Sequence, residues 1–302
     1  MGQCDRDLQI ISFERTEVLP QRGVGQDRRR MSAPARRKKR LKQKRRLKKA
    51  GILCITAALL FTVSYWTNWF SEIPGLENKT VRLKRQVESL VKKAVDGQAD
   101  YPAELVELME QNEETVDFVK NYAERDRYIG KEINLSDSVE AGSVPLLMQW
   151  DKRWGYDLYG DAMIGLAGCG PTCMTMAYLY YTGDLTMNPR KMAEYAQERG
   201  YHTEEGTSWS FWTDGAADIG LYGEQISLSE NNMKAVLDCG GLLVCSMSPG
   251  DFTTKGHFIL LRGYDEHGFF VHDPNRKENS KKQWEYDTLS TQIKNLWAIY
   301  DN

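Results

Sequence analysis

Residues 166–173 read Leu-Ala-Gly-Cys-Gly-Pro-Thr-Cys and run directly into Met-Thr-Met-Ala-Tyr-Leu-Tyr-Tyr at 174–181. Pro171 suits the first turn of a helix, where a missing N–H costs nothing. Gly183 stands where a left-handed residue would close that helix. Met174, Ala177, Tyr178 and Tyr181 mark one face, but Met176, Leu179 and Tyr180 make the opposite face apolar too. A helix apolar all round is a buried central helix, so the chain must build layers on every side of it.

Cys169 is expected just before the start of that helix, where unpaired N–H groups and the positive end of the dipole converge. Such a place favours the thiolate, which is the nucleophilic form. The flanking Gly168 and Gly170 are read as leaving room for a substrate carbonyl to approach the backbone. The competing reading, Cys169 as a small buried hydrophobe, stays open on these residues alone.

The formal net charge of −2 hides an asymmetry. Residues 1–50 hold 17 Lys and Arg against 5 Asp and Glu, while the remainder holds 23 against 37. Residues 50–70, between the two, carry no charge. At a helical rise of about 1.5 Å per residue they reach across a hydrocarbon layer of about 30 Å. Basic residues 36–49 flank one side, and Tyr65, Trp66 and Trp69 gather at the other. That is a positive-inside flank with an aromatic belt. A cleaved signal would need small residues where these aromatics stand. The expectation is a single-pass anchor in the cell membrane, N-terminus cytoplasmic and the larger part extracellular.

A basic run can also bind nucleic acid. Beside a membrane span its topological role suffices, so the lipid bilayer is the expected partner and nucleic acid is not. Arg6 stands where myristoylation wants Ser or Thr, which removes that modification. The histidines and cysteines lack ligand spacing, so neither metal nor cofactor is expected.

Four regions result: a disordered basic cytoplasmic tail at 1–49, a transmembrane anchor at 50–70, a helical stalk or linker at 71–141, and a folded domain at 142–302. In the stalk, Leu83, Val87, Leu90, Val91 and Ala94 form an amphipathic stripe. That stripe leaves the oligomeric state open. Pro102 opens a second helical stretch at 103–125, broken near Asn112.

In the domain, Asn188-Pro189 signals a helix start and Gly200 its stop. Residues 207–219 and 229–239 are further helical candidates. Strands are expected at 242–247, 257–264, 268–272 and 296–300. Helices first and strands after indicate an α+β fold. Cys239 and Cys245 flank Gly240-Gly241, and a bridge between them is open.

A cysteine nucleophile needs a base, and the base needs a group to fix its tautomer. His202 and His267 fall in polar segments and are read as solvated. His257 opens a strand after a glycine-bounded loop, and Asp273-Pro274 ends the next strand, so His257 is the candidate base and Asp273 its orienter. Asp265 and His272 are the rival orienter and base. A two-residue turn at Glu266-His267 would set Asp273 opposite Leu260, on the wrong face for His257. A bulge or a longer loop is therefore required.

Gly168-Cys169-Gly170-Pro171-Thr172, the loop 248–252 with Gly256-His257-Phe258-Ile259, Asp273-Pro274, and Gln149-Trp150-Asp151 with Trp154 together resemble the domain of double-glycine, bacteriocin-leader-processing cysteine peptidases. The resemblance covers roughly residues 144–300. The acidic segment 101–122 is similar to a lead-in ahead of such domains in membrane-anchored proteins of Gram-positive bacteria. It implies a papain-like cysteine peptidase fold, a central buried helix packed on an antiparallel sheet. It further implies that Cys169 is the nucleophile, His257 the general base and Asp273 the orienter.

The leader-processing enzymes place a glutamine about six residues before the cysteine, where Met163 stands here. Gln149 is the nearest upstream glutamine and the candidate oxyanion donor beside the Cys169 N–H. Those enzymes work fused to transporters on the cytoplasmic side, so their double-glycine substrate is not carried over. The expected activity is a thiol protease acting on a peptide or protein outside the membrane. Two rivals stand beside it: a transpeptidase or deamidase on wall or peptide substrates, and a catalytically silent domain that binds peptide or wall polymer.

Overall fold

The computed structural model describes residues 101–302, together with Ser89. The predicted tail, the membrane span at 50–70 and the amphipathic stripe lie outside the described residues. Among the described residues no helix is long and apolar enough to cross a membrane.

Six strands form one antiparallel sheet. They are β1 (Leu221–Gln225), β2 (Leu242–Met247), β3 (His257–Asp265), β4 (Gly268–His272), β5 (Gln283–Trp284) and β6 (Ile293–Asp301), in spatial order β1-β6-β2-β3-β4-β5. Four helices matter to the site and its support: α1 (Ala103–Gln111), α2 (Cys169–Thr182), α3 (Pro189–Glu198) and α4 (Glu230–Asp238).

The sheet separates two cores. On one side α2 buries Met174, Met176, Ala177 and Leu179 with Val244, Leu260 and Trp297. On the other, Leu243, Cys245, Ile259 and Leu261 pack with Met233 and Val236 of α4. Each Val, Leu, Ile or Met among them contributes about 1.5–3 kcal/mol when withdrawn from water. Strands buried on both faces need no alternation, which is why β2 is apolar at nearly every position.

The helix ends follow their residue types. The Asn188 side chain accepts from the Lys191 N–H (3.2 Å) and Ser229 from Asn232 (3.2 Å), and Gly183 closes α2 at φ 65°. Helix α2 differs from expectation at its start: it begins at Cys169 itself, two residues before Pro171. Its first N–H groups have no intrahelical partner, so proline is tolerated at the third position as at the first. Residues 207–219 are not one helix. They divide into a 3-10 turn at Trp209–Trp212 and a short helix at Asp214–Asp218. Phe211 and Trp212 are both fully buried there, among Tyr195, Tyr201, Phe258 and Trp297, which a single helical stripe could not reach.

The β3–β4 hairpin holds the bulge that the sequence requires. Asp265 pairs with Gly268 and Gly263 with Phe270, but Leu261 then pairs with Val271 and Leu260 with His272. Arg262 is the extra residue. Extending this shifted register one step sets Asp273 opposite Ile259, which shares its face with His257.

Residues 104–302 form one compact unit. The segment ahead of residue 142 is packed onto the remainder of that unit. Leu105, Met109, Phe118 and Val119 are buried, Phe118 stacks on Tyr156 at 4.4 Å, and the Tyr156 hydroxyl donates to the Phe118 carbonyl (2.6 Å).

Candidate active site

The first turn of α2 carries Cys169, which is half-buried. Tight packing explains the glycines beside it. A Cβ on Gly170 would meet Thr207 Oγ1 at 2.3 Å, and one on Gly168 would meet Ile164 Cγ2 at 2.5 Å. The side of each glycine that a Cβ would occupy is thus taken by protein rather than left for a substrate carbonyl. The glycines let the loop at Thr207 and the turn at Ile164 close on the cysteine.

His257, the first residue of β3, is buried and its Nε2 lies 2.7 Å from Asp273 Oδ1. That commits Nε2 to the carboxylate and leaves Nδ1 as the ring nitrogen free to serve Cys169, whose thiol His257 biases toward the charged form. Asp273 is fully buried. Its Oδ1 also accepts from the N–H groups of Asn275 (2.8 Å) and Arg276 (3.2 Å). Oδ2 accepts from Asn279 Nδ2 at 2.7 Å, and the Asp273 N–H donates to Ser280 Oγ at 2.9 Å.

The electrostatics derive from these contacts. Burial works against a charged Cys169, but the His257 hydrogen bond and charge, with the N–H groups of Phe258 and Gly170, outweigh it and hold the thiol below its ordinary value. Burial likewise opposes charge on His257, yet Asp273 and the neighbouring sulfur hold its pKa well above that of a free imidazole. Asp273 stays below the usual carboxylate range despite burial, through His257, Asn279 and the Asn275 N–H. The arrangement favours a thiolate–imidazolium pair, which titrates as a unit.

Two further free thiols behave oppositely. Cys173, one turn deeper in α2, and Cys245 in β2 are fully buried, and burial pushes both upward. Cys245 is free, so the bridge to Cys239 left open by the sequence is not formed.

The other predicted residues occupy different settings. Gln149 is buried; its Nε2 donates to the Gly165 carbonyl (3.0 Å), four residues ahead of Cys169, and its Oε1 has no partner. The rival base His272 is engaged on both sides, accepting from Arg262 Nε (2.8 Å) and facing the Pro145 carbonyl through Nδ1 (3.2 Å). Burial and Arg262 push its pKa down to about 4. The rival orienter Asp265 sits at the hairpin tip, accepting from His267 N–H and Gln283. His202 is not simply solvated: its ring packs edge-on against Tyr159 at 4.5 Å. Asn279 escaped the sequence reading; nothing in Lys-Glu-Asn-Ser marks it. The Asp-Pro-Asn run did carry a signal, since aspartate at such a turn bonds its own backbone two residues on.

The model of the peptidase C39-like family matches residues 142–302. The chain is also similar to a C39-like peptidase of solved structure from Bacillus anthracis, at 14% identity over 53% of this chain and 96% of that one. The TM-score of that match is 0.34, too low for the likeness to support a structural argument. No curated protein matches. The family model spans more than half of the residues, and the chain belongs to the peptidase C39-like family.

Proposed function

We propose that this protein is a membrane-anchored, extracytoplasmic cysteine peptidase that hydrolyses peptide bonds through Cys169, His257 and Asp273. One observation carries the reading: a buried histidine, its Nε2 2.7 Å from the buried Asp273 carboxylate, is placed where its charge favours the thiolate of Cys169 at the start of α2. A silent binding domain has no need of that chain of contacts.

The thiolate of Cys169 attacks the peptide carbonyl carbon, forming a C–S bond and an oxyanion. The Cys169 N–H at the tip of α2 and the second N–H of the Gln149 amide serve the oxyanion. As the C–N bond breaks, the His257 imidazolium passes its proton to the leaving amine. Water then attacks the thioester while His257 takes its proton, releasing the acid and regenerating the thiolate. Asp273 holds the ring throughout.

The substrate is a peptide or protein outside the membrane, reached from an anchor at residues 50–70 with residues 1–49 in the cytoplasm. The double-glycine leader is not assigned. The test is a peptide-library screen with the full-length chain. Cleavage that disappears in Cys169→Ala, by about 10⁴-fold or more, supports the reading; equal turnover by parent and variant overturns it. Aminolysis products in place of acids would convert the enzyme to a transpeptidase.

A further inference from the structure

The loop that presents Asp273 is bonded on two sides. From within, the Asp273 carboxylate takes the N–H groups of Asn275 and Arg276. From outside, the partners come from residues 111–114, which precede the match to the family model at 142–302. Asn112 is buried, and its Nδ2 donates to the Asn275 carbonyl at 2.6 Å. The Glu114 carboxylate takes two successive N–H groups, Lys277 through Oε2 (2.7 Å) and Glu278 through Oε1 (3.0 Å). The Arg276 guanidinium donates to the Gln111 carbonyl. Each of these contacts bridges more than 160 positions of chain.

We infer that Asn112 and Glu114 are positioning residues for the peptidase site, holding the 273–278 loop so that Asp273 orients His257. The inference rests on the function proposed above. Local geometry supports it: the Asn112 Oδ1 accepts from the Glu114 N–H (3.1 Å), so one side chain both aims the glutamate and grips the loop. Within the family region, Trp150 donates to the same Asn275 carbonyl (2.7 Å) and the Gln149 N–H donates to the Pro274 carbonyl (2.8 Å). Neither bond reaches Lys277 or Glu278.

The consequence runs through the histidine. A loop freed at 277–278 lets Asp273 drift, the imidazolium loses its partner, and the Cys169 thiolate loses the charge that stabilises it. Misplacement by about 1 Å can cost up to about 100-fold in rate.

The experiment uses the full-length chain and reads Cys169 alkylation by iodoacetamide against pH, resolved by peptide mass mapping, together with kcat and KM on a cleaved library peptide. Glu114→Ala moves the Cys169 profile upward toward an ordinary thiol and lowers kcat about tenfold, with KM little changed. Glu114→Gln, which keeps an acceptor oxygen, recovers part of both. Asn112→Ala acts in the same direction but less, because Trp150 still holds Asn275. Asp117→Ala removes an exposed pair with Lys152 (2.6 Å) on the same segment, without touching the loop, and leaves the profile in place. Superimposable profiles for parent and Glu114→Ala overturn the inference, as does an equal shift in Asp117→Ala. If Asn112→Ala fails to fold, Glu114→Ala decides alone. A parent chain whose Cys169 behaves as an ordinary thiol defeats the peptidase reading itself, a distinct result.

Discussion

Cys169 and Cys173 lie one turn apart on the same helix and both lean on Phe258, yet their surroundings push them in opposite directions. Cys169, at the open end of α2, receives N–H groups from Gly170 and Phe258 and faces His257. Cys173 is enclosed; its thiol approaches the Phe258 carbonyl (3.5 Å), and burial with the nearby Asp273 and Cys169 charges keeps it protonated. The difference teaches that neither the residue nor the helix activates a thiol. Donors supplied at an unpaired helix end, and one imidazole, decide which of two neighbours is nucleophilic.

The comparison breaks most severely if Asp273 is altered. Asp273→Asn should leave the fold in place and lower kcat/KM on a library peptide by about 10⁴-fold, because His257 is no longer held as the charged partner. The two thiols should next separate by alkylation at pH 6, Cys169 reacting at least about 100-fold faster than Cys173. The sign comes from the shifts: the Cys169 thiolate persists as pH falls below the ordinary thiol value and disappears only as pH drops through its lowered pKa. Cys173, pushed upward by burial, gains reactivity only well above the ordinary thiol value. Mass mapping after brief iodoacetamide treatment checks both. Arg262→Ala removes the side chain that ties the bulge to His272, and kcat should fall by about tenfold through misplacement of the site. The smallest effect falls on the enclosed partner. Cys173→Ala should cost about 1 kcal/mol in urea unfolding and leave turnover within twofold.

Much of this contrast is legible in the order of residues alone. The apolar run after Gly-Cys-Gly-Pro reads as the buried helix, and the caps at Asn188, Gly183 and Ser229 mark their elements because each supplies a specific bond or a specific φ. Strands β2 and β4 are read to the residue. Strand β1 is missed because Leu-Tyr-Gly-Glu-Gln is short, carries a central glycine and pairs on one side only. Strand β5 is two residues long and offers no period at all. The site shows the same divide. His257 and Asp273 can be proposed from strand ends, but their juxtaposition depends on a bulge at an arginine that no turn chemistry announces. The grip of residues 111–114 on the 273–278 loop joins segments far apart in the chain, and local pattern carries no trace of it.

The bulge at Arg262 also bears on how the hairpin avoids assembling wrongly. In an uninterrupted ladder from the same turn, Arg262 would point where Leu261 and Ile259 now pack, carrying a guanidinium into an apolar interior at a steep desolvation cost. A miscounted hairpin is thus rejected by its own misplaced charge, and the residue that spaces the working pair acts as a proofreader while the chain is still finding its shape.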